Sequence, residues 1–152
     1  MGNSGSGKST LAKRLSTEHS LAHLDLDTLA WLPTTPPQRD PDGLAKLDAF
    51  LINERWVIEG CYADLLAHAA TRCTELVFLD PGVDVCIAHC RARPWEPHKY
   101  ASKEAQDANL PMLVEWVRAY ETRTDEFSRQ AHRALFDGFT GAKREVTEAP
   151  AR

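Results

Sequence analysis

Gly2-Asn3-Ser4-Gly5-Ser6-Gly7-Lys8-Ser9-Thr10 decides how the rest of the sequence is read. It fits, without a gap, the pattern glycine, any four residues, glycine-lysine-serine/threonine, in which a backbone wraps a phosphate group. Each residue type has a mechanical reason to be there. The glycines let amide N–H groups converge on phosphate oxygens without side chains in the way. The helix expected from Lys8 aims the positive end of its dipole at the same anion. Lys8 neutralises charge on terminal phosphates, and the Ser9 hydroxyl can ligate Mg²⁺. The candidate binding set is therefore Gly2, Asn3, Ser4, Gly5, Ser6, Gly7, Lys8, Ser9 and Thr10. A flexible Gly/Ser linker is the bland alternative, but a linker has no need of Lys-Ser-Thr running straight into an amphipathic helix.

A loop of this kind normally joins a strand to a helix, and only Met1 precedes it here. The expectation is a sheet from which the first strand is absent in this chain. Neighbouring ladders would then be unpaired and the loop less firmly held.

Outward from the loop, extended and helical patterns alternate. Leu11 and Leu15 with Lys13 and Arg14 between them predict a helix to about Glu18. His23-Leu24-Asp25-Leu26 reads as a short strand, and the prolines at 33, 36, 37 and 41 predict a loop over 32–43 without helix or sheet. Leu44, Leu47, Phe50 and Leu51 recur at helical spacing. Trp56–Glu59 and Glu75–Asp80 are apolar strands ending in acids, separated by a helix over 62–72. Pro81 is expected in the first turn of a helix running to about Arg93. Residues 91–103 hold four cations besides His98, interleaved with Pro94, Trp95, Pro97 and Tyr100, and predict a mobile surface segment. Leu113, Trp116, Val117 and Tyr120 form a helical stripe, with Pro111 marking a kink or a new start. A helix over about 125–136, a strand over 144–147 and a loose tail over 148–152 complete the chain. Strands separated by helices imply a parallel α/β sheet, whose ligands bind beyond the carboxyl ends of the strands.

Composition narrows the class. The 152 residues fit one domain, over 1–147, and 43% hydrophobic with 26% charged residues argues against disorder. A net charge of −4 argues against a surface built to neutralise nucleic acid. No run approaches the ~18 apolar residues of a membrane span, and the first residues lack the apolar segment of a secretory signal. A soluble, cytoplasmic protein is expected, with partners excluding nucleic acid and membrane. Cys61, Cys73, Cys86 and Cys90 do not make a disulfide framework. Cys86 and Cys90 share a helix face with His89 between them, but a closed zinc site needs four ligands, so free thiols are expected.

With these motifs in place, the chain resembles the adenylate-kinase-like and shikimate-kinase-like branch of the P-loop kinases, including small bacterial proteins labelled topology-modulation or AAA-family ATPases. The resemblance runs from Gly2 to about Val146. It rests on the loop at 2–10, on His23-Leu24-Asp25-Leu26-Asp27 with Trp31, and on Trp56-Val57-Ile58-Glu59-Gly60-Cys61-Tyr62. It implies a three-layer P-loop NTPase fold, a parallel sheet of order 2-3-1-4-5 and a lid, here about 91–103, closing over ATP. It implies an ATP-binding phosphotransferase that moves a γ-phosphoryl group to a small metabolite or nucleotide with Mg²⁺. It is compatible with a monomer or weak homodimer. A nucleotide-binding regulatory NTPase without a small acceptor is the alternative.

The resemblance also assigns residues. Asp27 would orient the acceptor hydroxyl or take its proton, unless it only caps the next turn. Glu59 stands where the Mg²⁺-supporting acid is expected, although Asp-Gly is commoner there than Glu59-Gly60, and Asp80 competes for the role. The metal set is thus Ser9 and Glu59. Arg91 and Arg93 fall where lid arginines stabilise the transferring group, and a solvated helix end is their alternative. With Lys8 and Asp27 they form the candidate catalytic set. Trp31 is a candidate wall of the acceptor pocket, and Trp56 and Trp116 are expected in the core.

Overall fold

The glycine loop opens directly into the first helix, and everything else is arranged around that junction. The computed structural model describes residues 1–149; of the tail expected at 148–152, positions 150–152 lie outside the described residues. In chain order the elements are α1 (Lys8–His19), β1 (Ala22–Asp25), the single turn α2 (Asp27–Ala30), β2 (Trp31–Leu32), β3 (Gln38–Arg39), α3 (Gly43–Phe50) and β4 (Trp56–Glu59). There follow α4 (Ala63–Ala70), β5 (Glu75–Leu79), α5 (Val83–Ala92), α6 (Lys103–Arg118), a 3₁₀ turn (Ala119–Glu121), α7 (Arg129–Gly138) and β6 (Ala142–Val146). The class is mixed α/β. Among the described residues, no helix is long and apolar enough to cross a membrane.

The parallel strands form two separate pairs. β1 lies beside β4, Ala22 opposite Trp56 through Asp25 opposite Glu59. β5 lies beside β6, Glu75 opposite Ala142 through Leu79 opposite Val146. Parallel neighbours need long crossovers, which α2 to α3 and α5 to α7 supply. Between the pairs lie Met1 and Gly2. The Met1 amino group donates to the Val77 carbonyl at 2.8 Å, Leu79 N–H donates to the Met1 carbonyl at 2.9 Å, and Gly2 forms a lone parallel bridge with Leu79. These two residues bond to β5 and not, among the described residues, to β4.

The main core gathers Leu26, Leu29, Leu47, Leu65, Leu66 and Phe78. Each such side chain contributes about 1.5–3 kcal/mol on full burial. A second cluster, Cys86, Ile87, Cys90, Val114 and Val117, welds α5 to α6. Trp56 and Trp116 pack against the core as expected, and all four thiols are free.

Several expectations need correction. The proline-rich stretch 32–43 is not devoid of sheet: β2 and β3 pair antiparallel, Trp31 opposite Arg39 and Leu32 opposite Gln38. The two-residue strands lie on either side of Pro33, Pro36 and Pro37, which are confined to the connection between them. Pro81 precedes the helix rather than opening it, because Gly82 at φ 97° breaks the chain before Val83. Pro111 starts no helix. Ser102 caps α6 by accepting the Ala105 N–H, and the packing of Leu110, Leu113, Val114 and Val117 carries the helix past the one hydrogen bond that proline cannot donate. Helix α7 starts at Arg129, not near Asp125. Ser128 accepts the Ala131 N–H as its cap, while Asp125 is spent on the turn before it by accepting the Phe127 N–H at 3.0 Å.

Candidate active site

The loop is held from behind by helices that lie far away in sequence. Buried Asn3 is the hinge of this arrangement. Its amide donates to the Val117 carbonyl at 3.1 Å, its Oδ1 accepts Ser4 N–H at 2.8 Å, and its carbonyl accepts both Ser6 N–H at 3.2 Å and Lys8 Nζ at 2.7 Å. Helix α5 presses on Gly5. A Cβ there would stand 2.3 Å from the Cys86 carbonyl oxygen, and its φ of 81° is one that side chains rarely tolerate. His89 Nδ1 meets the Gly5 carbonyl at 2.7 Å. Ser6 is fully buried, and its hydroxyl has no hydrogen-bond partner among the described residues. A buried polar group left so costs about 1–3 kcal/mol.

At the start of α1 the Ser9 hydroxyl donates to Glu59 Oε1 at 2.8 Å. Glu59 is buried at the end of β4. Burial pushes its carboxyl up, but the His23 ring 3.7 Å away, Lys8 and Ser9 outweigh it and hold Glu59 below the usual glutamate range. Glu59 in turn raises His23. Asp25 is raised by burial first, then by the charges of Glu59 and Asp27. Asp80, the competitor for the metal role, is engaged elsewhere. Its Oδ2 receives Arg129 at 2.6 Å and lies 3.8 Å from Arg133. The structure thus brings Ser9 to Glu59 and leaves Asp80 to two guanidinium groups.

Asp27 opens α2, where β1 has already ended, so strand alternation does not separate it from Asp25. It is not the helix cap: Asp25 Oδ1 accepts the Asp27 N–H at 2.9 Å and takes that local role. The Asp27 carboxylate is bonded by two groups from distant elements. Its Oδ1 accepts the Tyr62 hydroxyl, and Lys99 Nζ lies 3.4 Å from its Oδ2. The Tyr62 hydroxyl itself accepts Trp31 Nε1 at 2.8 Å. Burial first, and then the charge of Asp27, push the Tyr62 hydroxyl pKa far up. Trp31 keeps 38% of its surface exposed, and it stacks on Phe127.

Neither arginine expected in the site bonds Asp27 or Glu59 among the described residues, and Arg93 is linked to Asp27 only through Glu96 and Lys99. Arg91 is exposed on the last turn of α5, and Arg93 Nη1 faces Glu96 at 3.4 Å. Lys99 is the cation of the 91–103 segment that meets Asp27. The segment is tied down through Gln106, which accepts the Glu96 N–H at 2.8 Å and donates to the Pro94 carbonyl at 3.1 Å. Thr10 is exposed beside Ser9 on α1.

Behind the acids, fully buried His132 fixes the turn after β4. Its Nε2 is 2.7 Å from the Cys61 carbonyl, and its Nδ1 is 2.6 Å from the Tyr120 hydroxyl. A carbonyl only accepts, so Nε2 carries the proton and Nδ1 accepts from Tyr120. Burial lowers the His132 pKa from its ordinary 6.5 to about 4. The unfolded chain therefore binds a proton that the folded chain refuses. The neutral ring contributes its full share above pH 6.5, and roughly 3 kcal/mol is lost as pH falls toward 4. His132→Phe should lower stability by about 2–4 kcal/mol, since it strands a carbonyl and a hydroxyl. It should also flatten the dependence of stability on pH in that window, as urea melts at pH 7 and pH 5 would read.

Compared with known proteins, the chain matches no family model and no curated protein.

Proposed function

We propose that this chain is a P-loop kinase-like phosphotransferase that moves the γ-phosphoryl group of ATP to a hydroxyl of a small metabolite or nucleotide. The observation that carries the reading is the meeting of Ser9, Glu59 and Lys8 at the amino end of α1, inside a loop in which Gly2 and Gly5 have no room for side chains. Reading across the two pairs gives β1, β4, Met1–Gly2, β5, β6. That sequence supports the order 2-3-1-4-5 and the three-layer P-loop fold.

The residues fit the groups this chemistry needs. The N–H groups of a loop too tight for a Cβ at Gly5 suit phosphate oxygens. Ser9 and Glu59 would hold Mg²⁺, which keeps several waters and needs few protein ligands. When bound, that ion supplies charge neutralisation to the phosphates. The chain's own groups do the rest. Lys8 sets a positive charge beside the loop, and Asp27 accepts the acceptor's proton while Tyr62 fixes one of its oxygens. Trp31 walls the acceptor side. Closure of the 91–103 segment would exclude water, itself a competing acceptor, and bring Arg91 and Arg93 toward the transferring group. ATP and one small acceptor are the partners, in a cytoplasmic monomer or weak homodimer that binds neither nucleic acid nor membrane.

ATP turnover against a panel of hydroxylated metabolites, nucleosides and nucleotides tests the reading. ADP release that depends on one acceptor class is expected. Slow release indifferent to every acceptor would assign the chain to the regulatory NTPases instead.

A further inference from the structure

Glycine gives the loop its shape and takes away its stiffness. At Gly5, φ is 81° and no side chain resists rotation of the peptide that follows. The direction of that peptide matters. A loop that receives an anion does so with N–H groups, and a turned peptide would offer a carbonyl oxygen in their place. What fixes it comes from outside the loop.

Helix α5 lies against Gly5. Cys86, His89 and Cys90 stand at the i, i+3 and i+4 spacing that shares a helix face. Both cysteines are buried and pack with Val114 and Val117 of α6, which seats the helix independently of the loop. The Cys86 carbonyl and the Cys90 sulfur come so close that they exclude a Cβ at Gly5. That contact limits where the glycine sits, but not which way its carbonyl turns. His89 supplies the direction. Its Nδ1 is 2.7 Å from the Gly5 carbonyl oxygen, and since that oxygen only accepts, Nδ1 carries the proton.

The opposite side of the same peptide is held as well. Ser6 N–H donates to the Asn3 carbonyl at 3.2 Å, and that carbonyl also receives Lys8 Nζ at 2.7 Å. A chain of bonds thus runs from His89 through the Gly5–Ser6 peptide and the Asn3 carbonyl to Lys8. Peptide groups bonded at both ends polarise one another. Turning this one would break the bond to His89 and the bond to Asn3 together.

We propose that His89 is a positioning residue of the glycine loop: its Nδ1–H holds the Gly5–Ser6 peptide in the orientation that keeps the loop, and Lys8 with it, set for an anion. The consequence for ATP rests on the phosphotransferase reading. The consequence for the peptide does not.

Three substitutions test it. His89→Asn puts an amide N–H where Nδ1 stands, His89→Gln moves that group one bond further out, and His89→Phe keeps a ring without a donor. The readouts are hydrogen exchange of the Ser6 amide without nucleotide, and the Kd for ATP with Mg²⁺ by titration calorimetry. A single hydrogen bond shifts an equilibrium by roughly 3–10-fold. His89→Phe should therefore speed Ser6 exchange and weaken ATP binding, each by about that factor. His89→Asn should restore both, and His89→Gln should restore neither. Equal Ser6 exchange in all four proteins overturns the proposal. So does rescue by glutamine as complete as that by asparagine, since any polar group would then serve. If His89→Phe does not fold, the comparison of asparagine with glutamine decides alone. Should the unsubstituted chain bind no ATP, the phosphotransferase reading falls, and the Ser6 amide still decides the role of His89.

Discussion

Lys8→Ala should cut ATP turnover by roughly 100-fold or more and weaken nucleotide binding with it. A positioned charge or donor at a site of developing negative charge is worth about 10²–10³ in rate. Lys8 has few substitutes in this site. Its Nζ lies 2.7 Å from the Asn3 carbonyl inside the loop, while Arg93 of the 91–103 segment is engaged by Glu96. Its removal also disturbs Glu59, because Lys8 is among the groups that hold that buried carboxyl ionised. The variant should thus lose affinity for Mg²⁺ as well as for ATP, which titration calorimetry can separate. Lys8→Arg keeps the charge but not the reach, and should recover metal binding more than turnover. Unchanged turnover in Lys8→Ala would remove the phosphate-loop reading altogether.

Asp27→Asn should lower phosphotransfer by about 10²–10⁴-fold, the range of a lost general base, while ATP binding stays within a few-fold of the original. The substitution is nearly isosteric. Asparagine can present its carbonyl oxygen to the Tyr62 hydroxyl, so the chain of bonds from Trp31 through Tyr62 persists. What goes is the charge, and with it the proton acceptor and the partner of Lys99. Transfer measured with saturating ATP, beside ATP affinity measured without acceptor, distinguishes the two roles. Equal loss of both would mean that Asp27 serves the fold.

The parts of this molecule legible in its sequence are those written in consecutive residues. The run at 2–10 shows its glycines, lysine and hydroxyls in one stretch, and Trp56–Glu59 and Glu75–Leu79 form strands as their apolar runs predict. The choice between Glu59 and Asp80 was not legible, because it depends on Arg129 and Arg133 arriving from 49 residues or more away. The bond of Lys99 to Asp27 and the contacts of His89 and His132 were hidden for the same reason: each acts across the fold, and no local pattern announces it. Tyr62 had a signal, since it closes the Glu59-Gly60-Cys61-Tyr62 turn next to the acids. Asp125 shows the opposite failure. It has the residue type of a helix cap and lies just before apolar periodicity, yet Ser128, three residues later, makes the cap.

The bond between Lys99 and Asp27 gives the site a placeholder. It sets a lysine of the 91–103 segment against the carboxylate for which an incoming hydroxyl would have to compete. With 30% and 44% of the two side chains exposed, such a pair is worth under about 1 kcal/mol. So weak a tie does not hold the segment, which Gln106 anchors from α6, and on the proposed reading an acceptor hydroxyl would displace the lysine from the carboxylate while the segment stays in place. On that reading the displaced lysine would stand beside the acceptor, ready to pair with a negative group it carries.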